Sequence, residues 1–288
     1  MEVCLFLERF GSIRGTNKTA TFPGYAVVMF NDTDLTLTTV PPDSGPSLLG
    51  RAPKDNTALF GSIDTWVFDL DNTLYPPHAD LWPKVDAKIT EYLYDFFGMD
   101  GLSARALQKY YYQRFGTTLN GLMLEHPDIL DVAHFLDFVH DIDRSSIAID
   151  DRLAAVIEQL PGRRLVFTNG SRGHAEKTML ALGIAHLFDD VFDIAAADLI
   201  PKPQAAPYDK FLALHGVNPE KAVMFEDIAR NLEVPKRLGM GTVLVIPKLG
   251  GTDHRDAHDK TTLAPDHVDH VTDDLARFLE QIVSGLSQ

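Results

Sequence analysis

The chain has 288 residues, 45% of them hydrophobic and 23% charged, with a formal net charge of −15. That is enough apolar material for one sizeable core and a smaller module beside it, but so acidic a surface argues against nucleic-acid polymers, whose binding depends on Lys and Arg. No apolar run approaches the ~18 residues of a membrane span, and the lone cysteine, Cys4, forbids an intrachain disulfide; with no leader-like start, the expected compartment is the cytoplasm, with no membrane partner.

Residues 1–62 differ from the rest, with Pro23, Pro41, Pro42, Pro46 and Pro53 among scattered small polar residues. The segment reads as a poorly ordered N-terminal extension; a start site assigned too early and a small regulatory module are the other readings. One hairpin is predicted in it, Tyr25 to Phe30 and Leu35 to Val40 joined through Asn31-Asp32. A chain beginning near Ser62 is expected to fold and to stay active.

From Ile63 the pattern sharpens. Thr65 to Phe68 is a short apolar run ending at Asp69, as a buried strand would be. Leu81, Val85, Ile89, Leu93 and Phe96 follow at helical spacing. Ser103 is placed to cap a second helix bearing Leu107, Tyr110, Tyr111 and Phe115, and a third pattern starts at Pro127. Residues 80–150 are thus an all-helical block. Beyond it strands alternate with helices: strands at 164–167, 191–194, 222–225 and 242–246, helices at 153–160, 175–182, 208–215 and 232–238. Thr272 is placed to cap a last helix. Alternation of this kind predicts an α/β fold, a Rossmann-like parallel sheet with helices on both faces.

On this map the polar residues fall into register. Asp69 and Asp71 follow the first strand, Thr168 and Asn169 the next, Lys202 lies in the loop after the third, and Glu226 and Asp227 follow the fourth. In a parallel sheet these strand ends share the edge where open α/β folds bind ligands. A hard cation such as Mg²⁺ takes one or two carboxylates, for which Asp69 and Asp227 are the candidates. A carboxylate nucleophile splits a hard displacement into two easier steps. A nearby acid, Asp71, can protonate a leaving alcohol and then activate water. Thr168 and Lys202 suit phosphoryl oxygens.

Other motifs fail on inspection. An EF-hand loop at Asp69 would need Gly where Leu74 stands. Gly239-Met240-Gly241 lacks a third glycine and precedes a strand. Gly170-Ser171-Arg172-Gly173 is no nucleophile elbow, since position 169 is Asn. His254, His258, His267 and His270 fall in a polar loop without cysteine and read as solvated histidines, a zinc site being the alternative. Arg172 and His174 read as a solvent-facing helix start, and the Tyr110–Tyr112 cluster as packing, with base stacking the alternative.

Asp69-Leu70-Asp71-Asn72-Thr73-Leu74-Tyr75, Phe167-Thr168-Asn169-Gly170, Lys202-Pro203 and Phe225-Glu226-Asp227 with Asn231 resemble, in order, the four motifs of haloacid dehalogenase-superfamily phosphatases. The resemblance covers roughly residues 63–285. It implies Asp69 as nucleophile and Asp71 as general acid/base. It implies Mg²⁺ on Asp69, the backbone carbonyl of Asp71 and Asp227, and Thr168 and Lys202 on the phosphoryl group, with Asn169 beside them. Where the fourth motif often reads Asp-Asp, this chain has Glu226-Asp227, which makes Glu226 a supporting residue.

The first motif, the stretch Tyr110 to Gly116, and Gly121-Leu122 with His126 resemble the pyrimidine 5′-nucleotidase branch. That implies residues 63–79 and 151–288 as core, 80–150 as a helical cap, and nucleoside 5′-monophosphates as substrates. Another small phosphate ester, such as a sugar phosphate or phosphoglycolate, and a catalytically silent binding protein are the alternatives. Dehalogenation is disfavoured, because that chemistry needs no proton donor such as Asp71. The sequence carries no signal for an oligomeric state.

Overall fold

The computed structural model describes residues 19–22, 25–29, 60–257, 259–260 and 265–286. Two compact units divide the chain, residues 1–46 and 47–288. In the first, β1 (Thr19–Phe22) pairs antiparallel with β2 (Tyr25–Met29), Phe22 opposite Tyr25 and Thr19 opposite Met29. The strand at Tyr25 was expected, but its partner lies upstream, at Thr19–Phe22. The expected partner at 35–40, and most of the expected poor order of residues 1–62, lie outside the described residues.

The second unit opens with β3 (Thr65–Phe68) and then leaves the sheet for four helices: α1 (Trp82–Phe97), α2 (Gly101–Phe115), α3 (Thr118–Glu125) and α4 (Val132–His140). The last three are capped by short polar side chains. Asp100 accepts from the backbone N–H of Leu102 and Ser103, Thr117 from Asn120, and Asp131 from His134. The cap of α2 is therefore Asp100 rather than Ser103, which sits one turn inside. The helical pattern expected to start at Pro127 begins at Val132 instead, and α3 was not anticipated. These helices close on a core of their own that includes Tyr92, Leu93, Tyr111, Leu122, Phe135 and Val139.

The chain then alternates: α5 (Asp151–Glu158), β4 (Arg163–Phe167), α6 (Arg172–Ala181), β5 (Asp190–Phe192), α7 (Ala205–His215), β6 (Ala222–Glu226), α8 (Glu233–Leu238), β7 (Gly241–Val245), β8 (His270–Thr272) and α9 (Leu275–Leu286). Strand order is β5-β4-β3-β6-β7-β8 and every pairing is parallel. Alternate side chains enter opposite faces, as the pleat requires. Trp66, Phe68, Val166 and Phe225 join the core under α5, α6 and α9, while Val67, Leu165, Phe167 and Met224 join the one under α7 and α8. The sixth strand, β8, escaped the sequence reading. Thr272 ends it, and Asp274, which accepts from the Arg277 N–H at 3.0 Å, opens the last helix.

Candidate active site

β3 occupies the middle of the sheet, so its carboxyl end is flanked by β4 and β6. The Asp69 N–H donates to the Phe225 carbonyl at 2.9 Å, which carries the ladder one residue past β3 and fixes Asp69 at the edge. The backbone then turns: the Leu74 N–H donates to the Leu70 carbonyl at 3.0 Å, and Asn72 adopts φ 58°. That turn brings Asp71 to the same cavity as Asp69, Thr168, Asn169, Lys202 and Asp227. All six residues picked from the sequence therefore meet at one strand edge.

Lys202 is the electrostatic centre. It is 2% exposed, and its ammonium donates to Asp69 Oδ1 at 2.7 Å, Glu226 Oε1 at 2.8 Å and the Phe167 carbonyl at 2.9 Å. Asn169 holds the Lys202 main chain, its Oδ1 accepting from the Lys202 N–H at 2.8 Å and its Nδ2 donating to the Lys202 carbonyl at 3.3 Å. Any contact of Asn169 with a substrate comes in addition to this. Thr168 is 1% exposed and its Oγ1 accepts from the Gly170 N–H at 2.9 Å.

Glu226 supports several neighbours. Besides Lys202 it accepts from Asn231 Nδ2 at 2.6 Å and from the Ile228 N–H at 2.7 Å. Carboxylate oxygens of Asp69, Glu226 and Asp227 lie within 4.8 Å of one another, and this is the metal-ligand-like cluster among the described residues. Burial pushes the Asp69 carboxyl up, with Lys202 opposing. Burial, then Glu226 and Asp69, push Asp227 well above the carboxylate range, with Arg255 opposing. Burial works against the Lys202 ammonium, yet Asp69 and Glu226 outweigh it and hold its pKa above the ordinary value. Three buried carboxyl groups share one ammonium, and the crowding that raises Asp69 and Asp227 is what a hard divalent cation would relieve, so the donor set suits such an ion.

Asp71 has a different surrounding. Its Oδ1 accepts from the Tyr75 hydroxyl at 2.6 Å and faces His174 Nε2 at 3.0 Å. Burial alone would raise the Asp71 carboxyl, but the His174 and Tyr75 contacts outweigh it and hold it below the usual range. His174 is 1% exposed, not solvent-facing as the sequence suggested. Ser171 caps α6, which sets His174 in the first turn, its ring stacked on that of His140. Sequence reasoning missed this contact of His174; a histidine three residues after a serine cap, close behind a strand end, was the available signal.

The four helices of the insertion cover the edge with an apolar wall that includes Ile89, Leu119, Phe135 and Val139, above a cavity of about 160 Å³. Of the three tyrosines, Tyr110 is half exposed and Tyr111 is buried. Tyr112 alone lines the cavity, with the Arg230 guanidinium 5.1 Å from its ring centre. The segment after β7 completes the rim. Asp256 pairs with Lys109 at 3.0 Å, and Asp259 pairs with Arg230 at 3.0 Å while accepting from the Tyr112 hydroxyl at 2.8 Å. The histidines there have separate partners. His254 bonds the Pro77 carbonyl at 3.1 Å, His267 the Ala229 carbonyl at 2.8 Å, and His270 packs between Phe60 and Phe278. His258 lies outside the described residues.

Fold and site together define an α/β protein whose polar crevice sits at the carboxyl edge of a parallel sheet. The chain belongs to the haloacid dehalogenase-like hydrolases, whose family model matches residues 63–239. Phosphate metabolism protein 8 of Saccharomyces cerevisiae is 28% identical over 200 residues, 62% of this chain and 60% of that protein. CbbY from Rhodobacter sphaeroides, solved in complex with phosphate, has 18% identity and a TM-score of 0.52, covering 78% of this chain and 100% of its own. The haloacid dehalogenase-like protein SP0104 from Streptococcus pneumoniae has 16% identity and a TM-score of 0.50, covering 76% and 98%. The two structures share the fold. No helix among the described residues is long and apolar enough to cross a membrane.

Proposed function

We propose that the protein is a Mg²⁺-dependent phosphomonoesterase that hydrolyses nucleoside 5′-monophosphates, pyrimidine ones preferred, through an aspartyl-phosphate on Asp69. The observation that carries this reading is the meeting of Asp69, Lys202, Glu226 and Asp227 at one strand edge with Asp71 one turn away. Asp69 attacks phosphorus; the bond to the ester oxygen breaks as the bond to the carboxylate forms, and Asp71 gives its proton to the departing oxygen. Water then attacks the acyl phosphate, Asp71 takes a proton from it, and inorganic phosphate leaves with Asp69 restored. Lys202, held by Asn169 and Glu226, turns one of its donors from Asp69 to a phosphoryl oxygen, and the Thr168 hydroxyl donates to another. The carboxylates of Asp69 and Asp227 and the backbone carbonyl of Asp71 would hold Mg²⁺, which when bound neutralises phosphoryl charge and orients the ester.

In this reading residues 80–150 are a cap that chooses the leaving group. Its apolar patch of Ile89, Leu119, Phe135 and Val139 suits the face of a base, and Asp86, Gln108 and Lys109 beside it offer polar partners to the groups around that base. The phosphate in the structure of CbbY and the name of the yeast relative are in keeping with phosphate chemistry. The test is phosphate release from a panel of nucleoside 5′-monophosphates, sugar phosphates and phosphoglycolate, with Mg²⁺ and with chelator. Pyrimidine nucleotides should turn over fastest and chelator should stop the reaction. Asp69→Asn should lower the rate by roughly 10³-fold or more with the fold intact. Normal turnover by that variant would refute the nucleophile assignment, and a flat or sugar-selective panel would refute the substrate.

A further inference from the structure

Two side chains stand in line behind Asp71. His174 presents Nε2 to Asp71 Oδ1 at 3.0 Å, and its Nδ1 faces Arg144 Nη2 at 2.9 Å. A guanidinium only donates, so Nδ1 is the acceptor and the ring proton sits on Nε2, pointed at the carboxylate. Arg144 is itself fixed, bonding the carbonyls of Ile142 at 3.1 Å and His140 at 3.3 Å and the Thr178 hydroxyl at 3.2 Å. The His140 ring stacks on His174 with centres 4.4 Å apart. Asp71 Oδ1 thus receives two donors, His174 and Tyr75, while Oδ2 receives neither. Arg144 lies in the segment 141–150 by which the helical insertion returns to the sheet.

We propose that His174, oriented by Arg144, is a positioning residue for Asp71: it saturates Oδ1 and so makes Oδ2 the oxygen that carries the proton in turnover. The inference rests on Asp71 being the general acid/base. The Oδ2 proton passes to the leaving oxygen as its bond to phosphorus breaks, and Oδ2 later takes a proton from water as water attacks phosphorus. Because Arg144 sits in the return segment, the placement of the helices and the aim of the acid are set by one contact.

A histidine that merely filled space would matter equally for every ester; one that aims an acid matters most where the leaving group needs a proton. The experiment compares kcat/KM for the alkyl monophosphate turned over fastest in the panel with that for 4-nitrophenyl phosphate, whose leaving group needs none. His174→Phe should lose roughly 10²-fold on the alkyl ester and under about threefold on the aryl ester. His174→Gln, which keeps an amide donor near the Nε2 position, should recover most of the loss. Arg144→Met, which leaves the imidazole in place but frees its tautomer, should lose less than His174→Phe with the same leaving-group dependence, and it carries the test if the Phe variant does not fold. Equal losses on both esters, or no loss, in the folded variants would overturn the proposal. Asp71→Asn is the reference. If it is leaving-group dependent and the His174 and Arg144 variants are not, the positioning role alone fails. If Asp71→Asn shows no such dependence, the acid assignment fails and the proposal with it.

Discussion

Single residues set the charge of this site. Lys202, almost wholly buried, holds two carboxylates, and each chemical role assigned to Asp69 presumes that ammonium. His140 makes a separate, measurable contribution. Burial, then the neighbouring His174, lower its pKa to about 3, with Asp71 opposing. An unfolded histidine takes a proton near pH 6.5, whereas the folded one stays neutral until far lower pH, so the unfolded state binds more protons between these values. Stability is therefore intact above pH 6.5 and is lost as pH falls toward 3. Between pH 7 and 5 His140 should account for about 1–2 kcal/mol of that loss. Denaturant titrations of the parent and His140→Phe at both pH values should show the variant losing less; equal losses would place His140 outside the acid response.

Elements explain which parts of the molecule were legible. The core strands were read from the sequence because each is a short apolar run, and the site residues because they follow the runs of β3, β4 and β6 or lie in the loop after β5. β8 was missed because His270–Thr272 is three residues long and only its last is buried. α3 was missed because its pattern is set by its neighbour: a Cβ on Gly121 would lie 2.6 Å from the Tyr111 ring, so α2 and α3 approach as closely as a glycine permits. Gly121→Ala should force these helices apart, at a cost of about 1–3 kcal/mol. It should lower the melting temperature and speed proteolysis of the insertion; an unchanged melt would mean that Tyr111 moves aside freely. The Arg144–His174–Asp71 line was illegible because it joins three segments far apart in sequence, and no periodicity records such a contact.

At the scale of the molecule, the N-terminal edge of the sheet domain falls upstream of where composition put it. Phe60 is 1% exposed and stacks on Trp66 while meeting Phe278 edge-on. A chain beginning at residue 57 should keep the melting temperature of the sheet domain. One beginning at Ser62 loses that ring and should be less stable by about 3 kcal/mol, as for removal of a buried phenylalanine. Identical melts for the two would show that Phe60 contributes nothing. The predicted α/β class, the parallel sheet and the shared strand edge agree with the structure, because all three follow from apolar runs and their alternation.

The central place of β3 also bears on how the protein is made. Its neighbours, β4 and β6, are encoded far downstream, beyond the whole helical insertion. On the ribosome the nascent β3 emerges with both edges bare, and the insertion, whose contacts are local, can pack before either neighbour exists. The carboxylates of the crevice are thus brought together only once β6 has been made and docks, and the strand leading to Asp69 is the one most exposed to chaperones and to mispairing until then.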